Sequence, residues 1–251
     1  MLKTFQQFPS NPLIAKARRF SFCFRSLVAR EPALWFLYQP YLWWGQIKRK
    51  ATGHNLEDGL LLPDTQIVID GFQGSANSFA ATVFISSQMQ PVKVMHHRHA
   101  PLLIIKAVEK KIPVLLTIRQ PRETVLSLTS RWPHISISDA LISYIGFYKK
   151  LLPYTSHLVI SNFEFTTQRL DYMIQVINNQ YDTNFDIVNN TKINQETSKH
   201  TDIFSSRNTL KKEKSKEFQL AKNIQLLTEA EAIYEKFEQR AQQFLVQNYK
   251  K

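Results

Sequence analysis

The sequence predicts an α/β protein built on a parallel β-sheet covered by helices on both faces. Two observations carry that prediction. Four short apolar runs, rich in valine and isoleucine, recur between residues 66 and 161, and a longer helix-forming stretch follows each one. Runs that are apolar on consecutive residues fit strands buried on both faces, and their alternation with helices argues for βαβ units. The composition agrees: 251 residues, 43% hydrophobic and 21% charged, describe a folded globular chain rather than a disordered, collagen-like or disulfide-stapled one.

The strand candidates are Gln66–Asp70, Val92–His96, Pro113–Ile118 and His157–Ser161. The helices between and after them are Asn77–Ser87, Pro101–Lys110, Arg122–Ser130 with Asp139–Leu152, and Thr166–Asn179. Toward the carboxyl end, Thr228 and Glu231 have capping-box spacing and open a long amphipathic helix, with Ile233, Phe237, Ala241 and Phe244 on one stripe. The polar, basic stretch Ser205–Lys216 before it is expected to be a loop, either an anion site or a solvated run of charge.

The net charge is +12, which raises a nucleic acid, an anionic membrane or a phosphorylated small molecule as partner. The charge is unevenly placed. Residues 1–54 hold nine Lys and Arg against the single acid Glu31, together with 11 of the 30 aromatic residues. The chain therefore divides into a basic, aromatic arm over residues 1–60 and a domain over 61–251 in which 23 Lys and Arg are largely balanced by 17 Asp and Glu. In the arm, Phe20, Phe24 and Leu27 recur at helical spacing beside Arg18, Arg19 and Arg25. Two readings stay open. Either the arm packs on the domain with its aromatics as core, or residues 16–50 make peripheral membrane contact. Nucleic acid is disfavoured, because no nucleic-acid-binding module accompanies the charge.

The one cysteine, Cys23, excludes an intramolecular disulfide and a cysteine-based metal site, and no metal is expected. The longest uncharged run near the start, Pro32–Ile47, has 16 residues and is interrupted by Pro40. That is short of the roughly 20 apolar residues that span a bilayer. Arg18, Arg19 and Arg25 break any signal-peptide core. The expected location is the cytoplasm, at the inner membrane face if the arm contacts lipid.

Glycine is scarce, at 6 residues, yet Gly71 and Gly74 directly follow the first strand candidate. The run Asp70–Phe79 leaves a buried strand, turns through glycines and enters a helix with Ser75, Asn77 and Ser78 near its start. Backbone amides at such a helix start form an anion site. Compared with the nucleoside-triphosphate loop G-x-x-x-x-G-K-[ST], Gly71 and Ser78 are present, but Ala76 and Asn77 stand where glycine and lysine belong. After the third strand, Arg119, Pro121 and Ser127 place a guanidinium at the sheet edge and a hydroxyl near a helix start, and both can grip one phosphate.

With these residues in view, the chain resembles the P-loop sulfotransferases, which use 3′-phosphoadenosine 5′-phosphosulfate (PAPS) as co-substrate. The family's R-x-P-x-x-x-x-x-S motif for the 3′-phosphate is matched in full by Arg119, Pro121 and Ser127. Its 5′-phosphosulfate loop, P-[KR]-S-[GA]-[TN]-[TS]-[WF], lines up with Gln73, Gly74, Ser75, Ala76, Asn77, Ser78 and Phe79. Val159–Glu164 is similar to the family's strand ending in an acidic residue. The resemblance implies a three-layer α/β/α fold of the P-loop nucleotide-binding type, and a PAPS site formed by residues 71–79, Arg119 and Ser127. Arg207, in the basic stretch, would fold over the 3′-phosphate.

The reaction implied is sulfuryl transfer from PAPS to the hydroxyl or amine of a small-molecule, glycan or lipid acceptor. In the sequence His96-His97-Arg98-His99, a continuing strand would turn His97 and His99 to one face. Metal binding, a structural role and a catalytic role are all open on spacing alone. The resemblance makes His97 the expected base, with His99 second. Two positions depart from the family: Gly74 replaces the loop's Lys or Arg, and Met95 replaces a lysine. A cation from elsewhere, with Arg98, Arg122 and Arg207 as candidates, would have to substitute. The alternatives are a P-loop kinase or NTPase, disfavoured by Asn77, and a protein that binds the nucleotide but catalyses weakly.

Overall fold

The computed structural model describes residues 11–51, 60–189, 193, 196 and 208–249, the side chains of 45–51 and 244–249 excepted. Four parallel strands, β1 (Ile67–Gly71), β2 (Val94–His96), β3 (Val114–Thr117) and β4 (Val159–Ser161), form one sheet in the order β2-β1-β3-β4. All three pairings are parallel, with Ile69 opposite both His96 and Leu115, and Leu116 opposite Ile160. Each strand lies within one of the predicted runs or overshoots it by one residue, as β1 does at Gly71.

Successive strand residues supply opposite faces of the sheet. Ile67, Ile69, Leu115 and Val159 pack on α3 (Asn77–Ser87) and α8 (Leu170–Tyr181). Val68, Leu116 and Ile160 pack in a larger core with α4 (Pro101–Glu109), α5 (Pro121–Arg131), α6 (Ile137–Leu151) and the carboxyl-terminal helix α10 (Ala221–Tyr249). Helices therefore cover both faces, the α/β arrangement the sequence predicts. The chain leaves β1 for β2 on one side and later returns across it to β3 on the other. This reversal between β1 and β3 opens a crevice at their carboxyl ends, where open α/β sheets bind ligands.

The helix starts follow local chemistry. Pro12, Pro101 and Pro121 occupy first-turn positions, where the missing N–H costs nothing. Ser136 caps α6 by accepting the Asp139 N–H at 3.1 Å, and its hydroxyl donates to the Asp139 carboxylate at 2.7 Å. Asn162 caps α7 (Phe163–Gln168) by accepting the Phe165 N–H at 2.9 Å.

Four expectations need correction. The helix over Thr166–Asn179 is two, α7 and α8, divided at Arg169, whose φ of −134° is not helical. Asn162 starts the first helix early, so Glu164 lies in its first turn rather than at a strand end. Thr228 does not cap a helix: α10 begins at Ala221, and the Thr228 hydroxyl donates back to the Ile224 carbonyl at 3.1 Å. Part of the basic stretch is helical, α9 (Asn208–Lys216), steadied by a Lys214–Glu217 contact of 2.7 Å. Residues 205–207, Arg207 among them, lie outside the described residues.

The arm contributes α1 (Pro12–Val28) and α2 (Trp35–Ala51). It packs on the domain through Phe22, Val28 and Tyr38, which are buried, and through an Arg19–Asp139 ion pair of 2.5 Å to α6. Phe20, Phe24 and Leu27 are exposed. The arm's core therefore uses a different set of apolar residues from the stripe that the spacing singles out. Among the described residues no helix is long and apolar enough to cross a membrane.

Candidate functional site

A cavity of about 400 Å³ sits at the sheet edge, where the β1–α3 loop, the turn after β2, the β3–α5 connection and α7 meet. That volume lies within the range of small-molecule sites, about 300–1,000 Å³. Its wall includes Gly74, Ala76, Asn77, Ser78 and Phe79 from the loop and the start of α3, His97 and His99 from the turn, Arg119 from the β3–α5 connection and Ser127 from α5. Three separated segments that the sequence singles out thus converge on one space. Gly71 and Ser75 stand behind the wall instead.

The backbone explains the loop's composition. Gly74 has φ +98°, and a Cβ there would lie 3.1 Å from the Thr124 carbonyl oxygen and 3.6 Å from the Ser127 Cβ. A side chain there, such as the Lys or Arg of the sulfotransferase loop, is strained by both the conformation and the closeness of α5. At Gly71 a Cβ would come within 2.3 Å of the Thr117 carbonyl oxygen, so β1 and β3 close together only around glycine. Ala76 takes a left-handed φ of 69° ahead of α3, a strained position for a residue with a Cβ. Ser75 is buried: its hydroxyl donates to the Phe72 carbonyl at 2.7 Å and meets the Thr117 hydroxyl at 2.9 Å. It shapes the turn rather than facing the cavity.

From beneath, α6 holds both the β1–α3 loop and the end of β3. The Tyr148 hydroxyl donates to the Thr117 carbonyl at 3.1 Å and accepts the Phe72 N–H at 3.4 Å. One turn earlier, the Tyr144 hydroxyl donates to the Arg119 carbonyl at 2.9 Å. Burial pushes both phenols above their ordinary pKa, so they remain donors at any physiological pH.

Arg119 lies over the Phe163 ring, 4.1 Å from its centroid, donates to the Gly74 carbonyl at 3.3 Å and approaches Glu123 at 3.6 Å. Burial lowers its pKa and Glu123 opposes that shift; a guanidinium stays charged regardless. A second guanidinium on the wall belongs to Arg131, at the end of α5. Arg98 and Arg122, the sequence candidates for the absent loop cation, are not on this wall; Arg122 lies instead over Phe218, at 4.9 Å.

The histidines do not follow strand alternation. β2 ends at His96, and His97 and His99 both have left-handed backbones, with φ of 58° and 51°. Two such residues within three are a local strain of the kind that collects at functional sites. Nevertheless both rings border the cavity. His97 Nε2 lies 2.5 Å from the Ser78 Oγ, and its Nδ1 makes a short contact with His96.

What bends this turn is Asp70, a residue that sequence reasoning passed over. Its carboxylate is wholly buried and accepts N–H groups from Gly71 at 2.9 Å, Arg98 at 3.2 Å and His99 at 2.8 Å. His99 Nδ1 lies 2.8 Å from the Gly71 carbonyl and 3.3 Å from Asp70. A carbonyl can only accept, so Nδ1 carries the proton and Nε2 is the remaining ring nitrogen. Burial alone would raise the Asp70 pKa; the His99 hydrogen bond and charge, with the Gly71 and His99 amides, overcome it and hold the carboxyl below its ordinary value. The available signal was one acidic residue closing an otherwise apolar strand.

Asn77, at the loop position where a triphosphate-binding lysine would stand, is buried and donates to the Gly71 carbonyl at 3.1 Å and toward Asp70 at 3.3 Å. Phe163, inside the Val159–Glu164 run, Trp132 and Thr167 also line the wall; the last two lie on segments of no unusual composition and could not be found from the motifs. Among the described residues no group of three or more His, Cys, Asp or Glu could hold a metal ion. No known family model, curated protein or solved structure matches the chain.

Proposed function

We propose that the chain is a PAPS-dependent sulfotransferase of the P-loop type. The observation that carries this reading is the convergence of Arg119, Ser127, the Gly74–Phe79 turn and His97 on one cavity at the crevice between β1 and β3. The donor set fits a nucleotide with phosphates at two ends. Arg119 and Ser127 would hold the 3′-phosphate, while the first amides of α3 and Ser78 would face the 5′ end. Phe79, Trp132 and Phe163 supply apolar wall for a base. PAPS, when bound, supplies an activated sulfuryl group.

The chain's own part is to position and to move a proton. His97 would take the proton of the acceptor hydroxyl or amine at Nε2, where Ser78 now lies at 2.5 Å. His99 is fixed by Asp70 and the Gly71 carbonyl and forms the adjoining wall. Arg131 is the cation the structure offers in place of the loop Lys or Arg. Asn77 is spent on inward hydrogen bonds, which argues against a kinase or NTPase. The crowding at Gly74 favours one second reading, a protein that binds the nucleotide and transfers slowly.

The test is transfer of ³⁵S from labelled PAPS to a panel of phenols and alcohols by the full chain. Label appearing on an acceptor supports the enzyme. Tight nucleotide binding without transfer selects the second reading, and absence of both rejects the proposal.

A further inference from the structure

Gln73 is buried, and its Oε1 has no hydrogen-bond partner among the described residues. A buried acceptor left unmet is costly, so a missing donor is implied. The residue stands where the cavity described above meets a second groove of about 480 Å³, and Trp132 also borders both. The far side of this groove is the arm, through Arg18, Phe22, Arg25 and Tyr41. Arg25 donates to the Tyr41 hydroxyl at 3.3 Å, and neither Arg18 nor Arg25 pairs with a carboxylate among the described residues. His134 lies on the same wall, its pKa lowered by burial and by the charge of Arg18. The groove is therefore electropositive, has aromatic walls and leads to an unmet acceptor beside the transfer site.

We infer that this groove is the acceptor site, and that it takes a small organic anion carrying a hydroxyl or amine on an apolar body. The inference rests on the sulfotransferase reading. The anionic end lies between Arg18 and Arg25, the body against Phe22 and Trp132, and the reacting O–H or N–H stands at the junction beside Gln73. In transfer, a bond forms from sulfur to the acceptor atom, the bond from sulfur to the 5′-phosphate oxygen breaks, and the acceptor proton passes to His97.

The experiment is calorimetric titration of the full chain, saturated with adenosine 3′,5′-bisphosphate, with three phenols: 4-hydroxyphenylacetate, 4-ethylphenol and tyramine. The anion is expected to bind at least tenfold more tightly than the other two. That preference is lost in Arg18→Gln/Arg25→Gln with bisphosphate affinity unchanged, and Gln73→Leu weakens binding of the anion. Equal binding of the three, or preference for tyramine, overturns the proposal. Should the bisphosphate itself fail to bind, the sulfotransferase reading falls, while the same phenol series on the free chain still decides the groove's charge preference.

A separate surface carries a second proposal. Leu13, Phe20, Phe24 and Leu27 share one face of α1, and Phe36, Trp43 and Trp44 project from α2, with exposures from 37% to 72%. Lys16 is exposed on α1, and Lys48, Arg49 and Lys50 follow on α2. Exposed tryptophan and phenylalanine among cations, with Glu31 the only acid in residues 1–54, complement an anionic bilayer rather than a protein interior. We propose that this face of α1 and α2 docks on anionic membrane surfaces.

Co-sedimentation with vesicles of phosphatidylglycerol and phosphatidylcholine, against phosphatidylcholine alone, tests it. Binding is expected only with the anionic lipid, weakened by salt, and reduced at least tenfold in Phe20→Ser/Trp43→Ser/Trp44→Ser with the melting temperature retained. Absence of vesicle binding, or self-association in solution that the same substitutions abolish, overturns it.

Discussion

The Asp70 carboxylate, buried at the end of β1, accepts the His99 N–H at 2.8 Å and lies 3.3 Å from that residue's Nδ1. One acidic residue thereby fixes both the strained turn after β2 and the proton on His99. Because the folded pKa of Asp70 is lowered, its contribution to stability is present above the unfolded value, about 3.9, and is lost as pH falls through the folded one. Asp70→Asn is expected to cost about 2 kcal/mol at pH 7, as for a hydrogen-bonded buried charge. Denaturant unfolding should show the gap between the two proteins narrowing below about pH 4. A gap that stays constant down to pH 2 would contradict this role.

His97 and His99 should separate kinetically. Removing a general base typically costs 10²- to 10⁴-fold, so His97→Ala is expected to lower kcat by about that factor with bisphosphate affinity unchanged. His99→Ala should also lower the melting temperature, since its ring ties Asp70 to the Gly71 carbonyl. Full transfer activity in His97→Ala would dismiss the base assignment.

Introducing the loop cation of the sulfotransferase motif should fail. Gly74→Lys places a Cβ 3.1 Å from the Thr124 carbonyl oxygen at a φ of +98°, and is expected to cost about 1–3 kcal/mol without raising turnover. A Gly74→Lys protein with wild-type stability and faster transfer would show that the α5 backbone does not close this position.

The converse change should help. Ala76 has φ 69°, where glycine meets no Cβ penalty, so Ala76→Gly is expected to stabilise the fold by about 0.5–1 kcal/mol in denaturant titration. Destabilisation would mean that the loss of backbone entropy outweighs the relief of strain.

Much of this layout was legible in the chain. The four strands stood out because Ile69, Leu115, Leu116 and Ile160 lie in short runs that are buried on both faces. Gly74, Ser78, Arg119 and Ser127 were found because motif spacing survives folding when the segments sit at strand ends. The backbone that brings His97 and His99 to the cavity was not legible, since strand alternation ends where Asp70 pulls the chain into left-handed turns. Arg131, Trp132 and Phe163 reach the cavity through helix packing, which single-sequence periodicity does not encode. The arm shows the same limit: helical spacing selected Phe20 and Phe24, whereas packing buried Phe22 and Tyr38.

The most direct test of the account is a thermal-shift titration with adenosine 3′,5′-bisphosphate and with ATP plus magnesium, on the wild-type chain and Arg119→Ala. A ligand at 100 times its Kd stabilises by about 2.7 kcal/mol, which a chain of this size registers as several degrees. The account predicts that the bisphosphate raises the melting temperature of the wild type and not of Arg119→Ala, while ATP with magnesium has the smaller effect. Stabilisation by ATP alone, or bisphosphate stabilisation undiminished in Arg119→Ala, would contradict it.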